Sequence, residues 1–185
     1  RTGAGQDNGV RILDLNADGF MDVLIGNEGT KISRVWQPKT NQWMETKLPF
    51  SIQSQKTKQK EEVTWGVLTK DNHASAIVPS SLSNDAEQGS RPRIWQFKSS
   101  GWVPFPTELK VDVKHGKSSL RDINGNQVCE LLSGEKIFEL SEQEGVWKQL
   151  SHGLPDNISI GDGLRFIDLN EDGFEDLVFS DPERW

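Results

Sequence analysis

Two nine-residue segments hold the side chains best suited to chemistry. Residues 14–22 read Asp-Leu-Asn-Ala-Asp-Gly-Phe-Met-Asp, and residues 168–176 read Asp-Leu-Asn-Glu-Asp-Gly-Phe-Glu-Asp. Each offers side-chain oxygens at positions one, three, five and nine, and the carbonyl of position seven can join them on one centre. Glycine at position six allows the positive φ that so tight a loop needs. An all-oxygen set rich in carboxylate favours calcium over transition metals, and over magnesium, which keeps more of its waters. An EF-hand opens in the same way but needs a bidentate Glu at position twelve and flanking helices. Here position twelve is Ile25 or Phe179, position nine carries the acid, and short β-prone runs flank the loop. The expected element is a cation loop closing a β-hairpin.

The elements that would position these loops repeat along the chain. The first loop lies in 9–27, and 163–181 is nearly the same text. Weaker copies occupy 119–134 and 66–81, so that the leading aspartates are Asp14, Asp71, Asp122 and Asp168. A second element follows the first three copies, at 33–50, 93–107 and 136–151. In it Trp36, Trp95 and Phe138 correspond, as do Trp43, Trp102 and Trp147. The first unit predicts strands near 10–13, 23–26, 32–37 and 43–48, with Gly, Asn, Asp, Ser and Pro between them. No window shows a capped 3.6-residue apolar period, so helix is expected to be scarce. Four antiparallel strands per repeat is the blade of a β-propeller. The chain is therefore read as all-β: a propeller segment with blades at about 9–50, 63–107 and 117–153, and the first hairpin of a fourth at 162–185, cut from a longer polypeptide. The polar stretch 53–62 is read as a solvated inter-blade loop, and 80–90 as a long loop open to partner contact.

The pattern DxNxDGxxD between two β-runs, repeated at blade spacing, resembles the FG-GAP/VCBS repeats of calcium-binding β-propellers, an architecture shared by integrin α-subunit heads. The resemblance implies that Asp14, Asn16, Asp18, Asp22 and the Phe20 carbonyl bind one Ca2+. It implies a second ion on Asp168, Asn170, Asp172, Asp176 and the Phe174 carbonyl. Blade three offers Asp122, Asn124, Asn126, the Val128 carbonyl and Glu130 as a third set, with Gln127 where glycine is expected. The Phe-Gly and Gly-Ala-Pro signatures of the family are not literal here. Blade two, with Asp71, His73 and Ser75, is read as too short to wrap an ion.

Composition narrows the function classes. There are 28 acidic against 21 basic residues, a formal net charge of −7. Nucleic-acid binders instead cluster Lys and Arg to displace counterions, so no nucleic-acid partner is expected. Eight of those acids fall in the three candidate loops, and three divalent ions would bring −7 to −1. Apolar runs are only a few residues long, so no insertion into a membrane is expected. Cys129 stands alone, which excludes an internal disulfide. His73, His115 and His152 form no metal-ligand or nucleophile pattern, Asn157-Ile158-Ser159 fits a glycosylation sequon, and the tryptophans are read chiefly as packing between blades. The expectation is a non-enzymatic, calcium-stabilised module for protein interaction, adhesion or scaffolding, extracellular, cell-surface or periplasmic. Two alternatives stand beside it: an accessory propeller of a larger secreted hydrolase or dehydrogenase, and a carbohydrate-binding propeller.

Overall fold

The structure is a computed structural model that describes residues 7–53, 62–83, 92–99, 101–111, 113, 117–141, 143–161 and 163–180. His115 and most of the stretches 53–62 and 80–90 lie outside the described residues. Antiparallel strands dominate. The first sheet runs β1 (Val10–Leu13), β2 (Asp22–Gly26), β3 (Lys31–Gln37) and β4 (Gln42–Lys47), hydrogen-bonded in sequence order. The second repeats this with β5 (Thr64–Val67), β6 (Ala74–Val78), β7 (Arg93–Lys98) and β8 (Gly101–Pro104). The third comprises β9 (Ser118–Arg121), β10 (Glu130–Ser133), β11 (Lys136–Ser141) and β12 (Val146–Gln149). A hairpin of β13 (Leu164–Ile167) and β14 (Asp176–Phe179) follows. Among the described residues the helical content is one 3-10 turn, Ser80–Leu82, and no helix is long and apolar enough to cross a membrane.

Period-two patterning builds these strands. In β2 the residues Asp22, Leu24 and Gly26 are buried, and in β3 Ser33 and Val35 are buried while Arg34 faces water. β6 and β10 are buried throughout, as expected of strands covered on both faces. The sheets stack face to face in chain order. Leu24 and Val35 of the first meet Ala76, Trp95 and Phe97 of the second. Phe50 joins that core, with ring centroids 5.9, 6.2 and 5.4 Å from Trp65, Trp95 and Trp102. Ile77 and Ile94 on the other face of the second sheet meet Leu120, Leu131 and Leu140 of the third. Leu132 and Ile137 then meet Leu164, Phe166 and Phe179 of the last hairpin. Burying one such leucine is worth about 2 kcal/mol, so each junction is a substantial core. The described sheets form an open row and do not close on themselves.

Packing corrects two alignments made from sequence. Gly66 and Ser75, paired across β5 and β6, face the third sheet as the paired Leu13 and Asp22 face the second. Val67, Thr69, Asp71 and Ser75 thus occupy the places of Asp14, Asn16, Asp18 and Asp22. Asp71 is the fifth position of its loop, and the connection is as long as in the other copies. Likewise register sets Trp36 with Phe97 and Leu140, opposite Trp43, Trp102 and Trp147 respectively. Trp65, Trp95 and Trp102 do pack between sheets, whereas Trp36 and Trp43 stack on each other at 5.1 Å on the uncovered face of the first sheet.

The closest junction is at Gly66, where a Cβ would fall 2.5 Å from Leu120 Cβ. Gly66→Val is expected to cost about 1–3 kcal/mol by overpacking, read as a lower urea midpoint. Adding Leu120→Ala should recover part of that loss, and equal losses with and without Leu120→Ala would show that the contact is not limiting.

Candidate metal centre

The first loop is a cage of backbone N–H groups around carboxylates. Asp14 accepts from the N–H of Asp18 at 3.2 Å and of Gly19 at 2.8 Å, and Asp18 accepts from Phe20 at 2.9 Å. Asp22, the first residue of β2, accepts from Leu15 at 2.9 Å and from Trp36 at 2.8 Å, and is fully buried. The loop before β14 has the same bonds: Asp172 and Gly173 donate to Asp168, Phe174 to Asp172, and Leu169 to Asp176. So does the loop before β10, where Asn126 and Gln127 donate to Asp122, Val128 to Asn126, and Ile123 to Glu130. Three segments of different sequence share one hydrogen-bond plan, and the side chain at position nine closes each loop onto its second residue.

This plan needs two left-handed residues. Position four has φ of 58° at Ala17, 72° at Gly125 and 59° at Glu171, and position six has 84° at Gly19, 70° at Gln127 and 91° at Gly173. Sequence reasoning required glycine only at position six. The third loop carries its glycine at position four, where a Cβ would meet Phe174 Cε1, and takes the strain at Gln127 instead.

The electrostatics are unbalanced in the acid-rich loops. Burial raises the pKa of Asp22 and the nearby Asp18 and Asp14 charges add to this, against the N–H bonds from Leu15 and Trp36. Burial likewise raises that of Glu130, which the Ile123 N–H opposes and the Asp122 and Glu139 charges reinforce. Among the described residues, no Lys or Arg is bonded to Asp14, Asp18 or Asp22. In the second sheet the protein supplies its own cation. Lys98 Nζ lies 2.5 Å from Asp71 Oδ2, Gln96 donates to Thr69 and Asp71, and Thr69 donates to Asp71. Partial burial works against the Asp71 carboxylate, but the hydrogen bonds from Lys98 and Thr69 outweigh it and hold the pKa at about 2.

Among the described residues no three His, Cys, Asp or Glu side chains form a ready-made group that could hold a metal ion. The carboxylates lie instead against backbone N–H groups. The donor set nevertheless fits a hard divalent cation. Every candidate ligand is an oxygen, each carboxylate oxygen has a further lone pair, and Asn16 Oδ1 is buried without a hydrogen-bond partner. In the other two loops that amide oxygen is engaged, accepting from Asn126 and Asp172.

The loops of successive sheets touch. Lys70 Nζ reaches the Asn126 carbonyl at 3.2 Å, Phe174 packs on Gly125, and Arg121 pairs with Glu175 at 3.0 Å while lying 5.0 Å over the Phe166 ring. Cys129 sits one residue before β10, where burial raises its thiol pKa, as expected of an inert packing residue. His73 stands 3.8 Å from Asp71, and Asn157 is exposed with φ 64°. A cleft of about 950 Å³ between 106–111 and the third sheet is lined by Glu108, Lys110, Lys136 and Trp147, and no imidazole or thiol is among its lining residues.

Two outcomes follow from this geometry. Gln127→Gly is expected to stabilise the chain by about 1 kcal/mol, because glycine removes the left-handed penalty; an unchanged melting temperature would count against a strained Gln127. Asp71 is held below its ordinary 3.8, so its contribution is complete above pH 3.8 and fades as pH falls through about 2. Asp71→Asn should therefore be less stable than wild type at pH 5, by under about 1 kcal/mol because the pair is partly exposed, with the gap closing near pH 2 in urea titrations.

No family model, curated protein or solved structure matches this chain.

Proposed function

We propose that this chain is a non-enzymatic, calcium-binding module of propeller-type sheets, in which ions on the loops stiffen one edge for contact with a protein partner. Charge balance carries the reading. One of the four loop sites has an internal ammonium, Lys98, on its carboxylate. The first instead gathers three mutually repelling carboxylates around a buried, unpartnered amide oxygen. A divalent ion is the simplest substitute for the missing ammonium. Asp14, Asn16, Asp18, Asp22 and the Phe20 carbonyl would hold one ion, and Asp168, Asn170, Asp172, Asp176 and the Phe174 carbonyl another. Asp122, Asn124, Asn126, Val128 and Glu130 form a third site, supported by the shared bond plan. Loops of this kind suit the millimolar calcium found outside cells, so the setting proposed is extracellular, cell-surface or periplasmic. The likeness of the two DxNxDGxxD loops to FG-GAP/VCBS repeats supports the same reading.

Calcium at a hundredfold excess over Kd is expected to stabilise the fold by about 2.7 kcal/mol per site, roughly 5–10 °C in Tm for a chain of this size. Asp22→Asn with Asp176→Asn keeps a hydrogen-bond acceptor at position nine while removing its charge. That variant should melt in EDTA near the wild-type temperature and respond little to calcium. Identical wild-type melts in EDTA and in millimolar calcium would sink the proposal.

A further inference from the structure

The three interior junctions show what each face of these sheets is built to meet. Call the face that packs on the following sheet the forward face, and the opposite one the backward face. Four residues occupy the second loop position, on the forward side. Leu15 and Leu68 are fully buried and Ile123 is partly buried, each in the core shared with the following sheet. The fourth, Leu169, is 66 % exposed, and Ile167 beside it is 47 % exposed. Ile167 stands where Leu13, Gly66 and Arg121 each contact the next sheet.

The backward face shows the converse. Trp65, Leu120 and Phe166 occupy one position in the later sheets, and each packs on the sheet before it. Their counterpart Ile12 in the first sheet is 66 % exposed. Trp102 and Trp147 lie in the first and second cores, whereas their counterpart Trp43 is 49 % exposed. Met21, exposed by 63 %, stands where Ala74 and Cys129 are packed and where Glu175 pairs with Arg121.

The exposed apolar residues are thus not scattered. They are the interface positions of the two end sheets, one end presenting a forward face and the other a backward face. The interior contacts define which residues should meet. Gly66 sits on Leu120 and Cys129, and Arg121 sits on Phe166 and Glu175. By the same rule Ile167 should sit on an Ile12 and a Met21. Isolated exposed leucines need no explanation, but contiguous ones at positions buried in every other repeat mark an interaction surface.

We propose that the forward face of the β13–β14 hairpin docks on the backward face of the first sheet of a second copy of this chain, head to tail. The occupant is argued from the repeat. A second copy carries, in the right order and on the right strands, the partners that Leu120 and Phe166 supply inside one chain. Such a contact is heterologous, so it leaves one free face of each kind on every dimer and continues until a ring closes or a filament grows. It does not depend on the cation reading, because it follows from apolar side chains alone.

Two blocked variants test it in calcium buffer, with circular dichroism confirming that each retains its strand content. Ile12→Glu with Trp43→Glu blocks only the backward face, and Ile167→Glu with Leu169→Glu blocks only the forward face. Light scattering behind size exclusion is expected to show wild type associating as its concentration rises and each variant alone as a monomer. Mixing the two variants should restore a 1:1 complex, since one keeps its forward and the other its backward face. Milder serine versions of both replace the glutamates if either loses strand content. A wild type that stays monomeric at every concentration overturns the proposal. So does a homodimer that persists in either variant, or a mixture that remains monomeric.

Discussion

Taking a carboxylate out of water is costly unless hydrogen bonds or a cation replace its hydration. Asp22 and Glu130 are both out of water, and each is the first residue of the strand that follows its loop. Backbone N–H groups supply the replacement: Leu15 and Trp36 for Asp22, Ile123 for Glu130. These bonds tie the loop, the strand after it and, through Trp36, the third strand into one unit. They do so without neutralising the charge. The first loop therefore combines the geometry of a finished turn with the electrostatics of an unfinished one, and the rest of the site follows from that mismatch.

The second sheet shows the other solution to the same problem. Its loop has Val67 and Ser75 where the first has Asp14 and Asp22, which removes two acids, and it places Lys98 against the one that remains. The direction of the pKa follows: Asp71 is depressed while Asp22 and Glu130 are raised. One scaffold thus carries an internally compensated loop beside uncompensated ones. The acidic excess of the chain is accordingly a local property of the loops, and net charge says little about the surface that meets a partner.

Much of this was legible in sequence. Alternating apolar residues and the punctuation of Gly, Asn and Asp placed the first sheet's strands within a residue or so, because strand formation here is local. The loops before β2 and β14 were legible because oxygen spacing and Gly19 or Gly173 are chemical requirements visible in one dimension. The loop before β10 was harder, since Gln127 breaks the template at position six while Gly125 relieves the strain at position four, and only the backbone shows that both are left-handed. The alignment of Asp71 failed for a different reason. It followed the nearest acid, whereas equivalence is set by which face Gly66 and Ser75 present to the third sheet, a fact of packing. Trp36 was misaligned in the same way, by residue type in place of register.

Leu15 shows why loop chemistry and sheet stacking cannot be separated. Its N–H is held by Asp22, its carbonyl accepts from Ala74 of the second sheet at 3.0 Å, and its side chain is fully buried between the two sheets. The residue that completes the loop is therefore also the plug that seals the junction. Anything that fixes the carboxylates fixes Leu15, and through it the distance between neighbouring sheets. Leu169 makes the same backbone bond to Asp176 at 3.0 Å, but its side chain points to no core. A cation in that last loop would hold an apolar plug in position ahead of any partner, which lowers the ordering entropy that docking must overcome. Loop rigidity in this architecture is thus preorganisation of the next sheet junction, whichever sheet comes to occupy it.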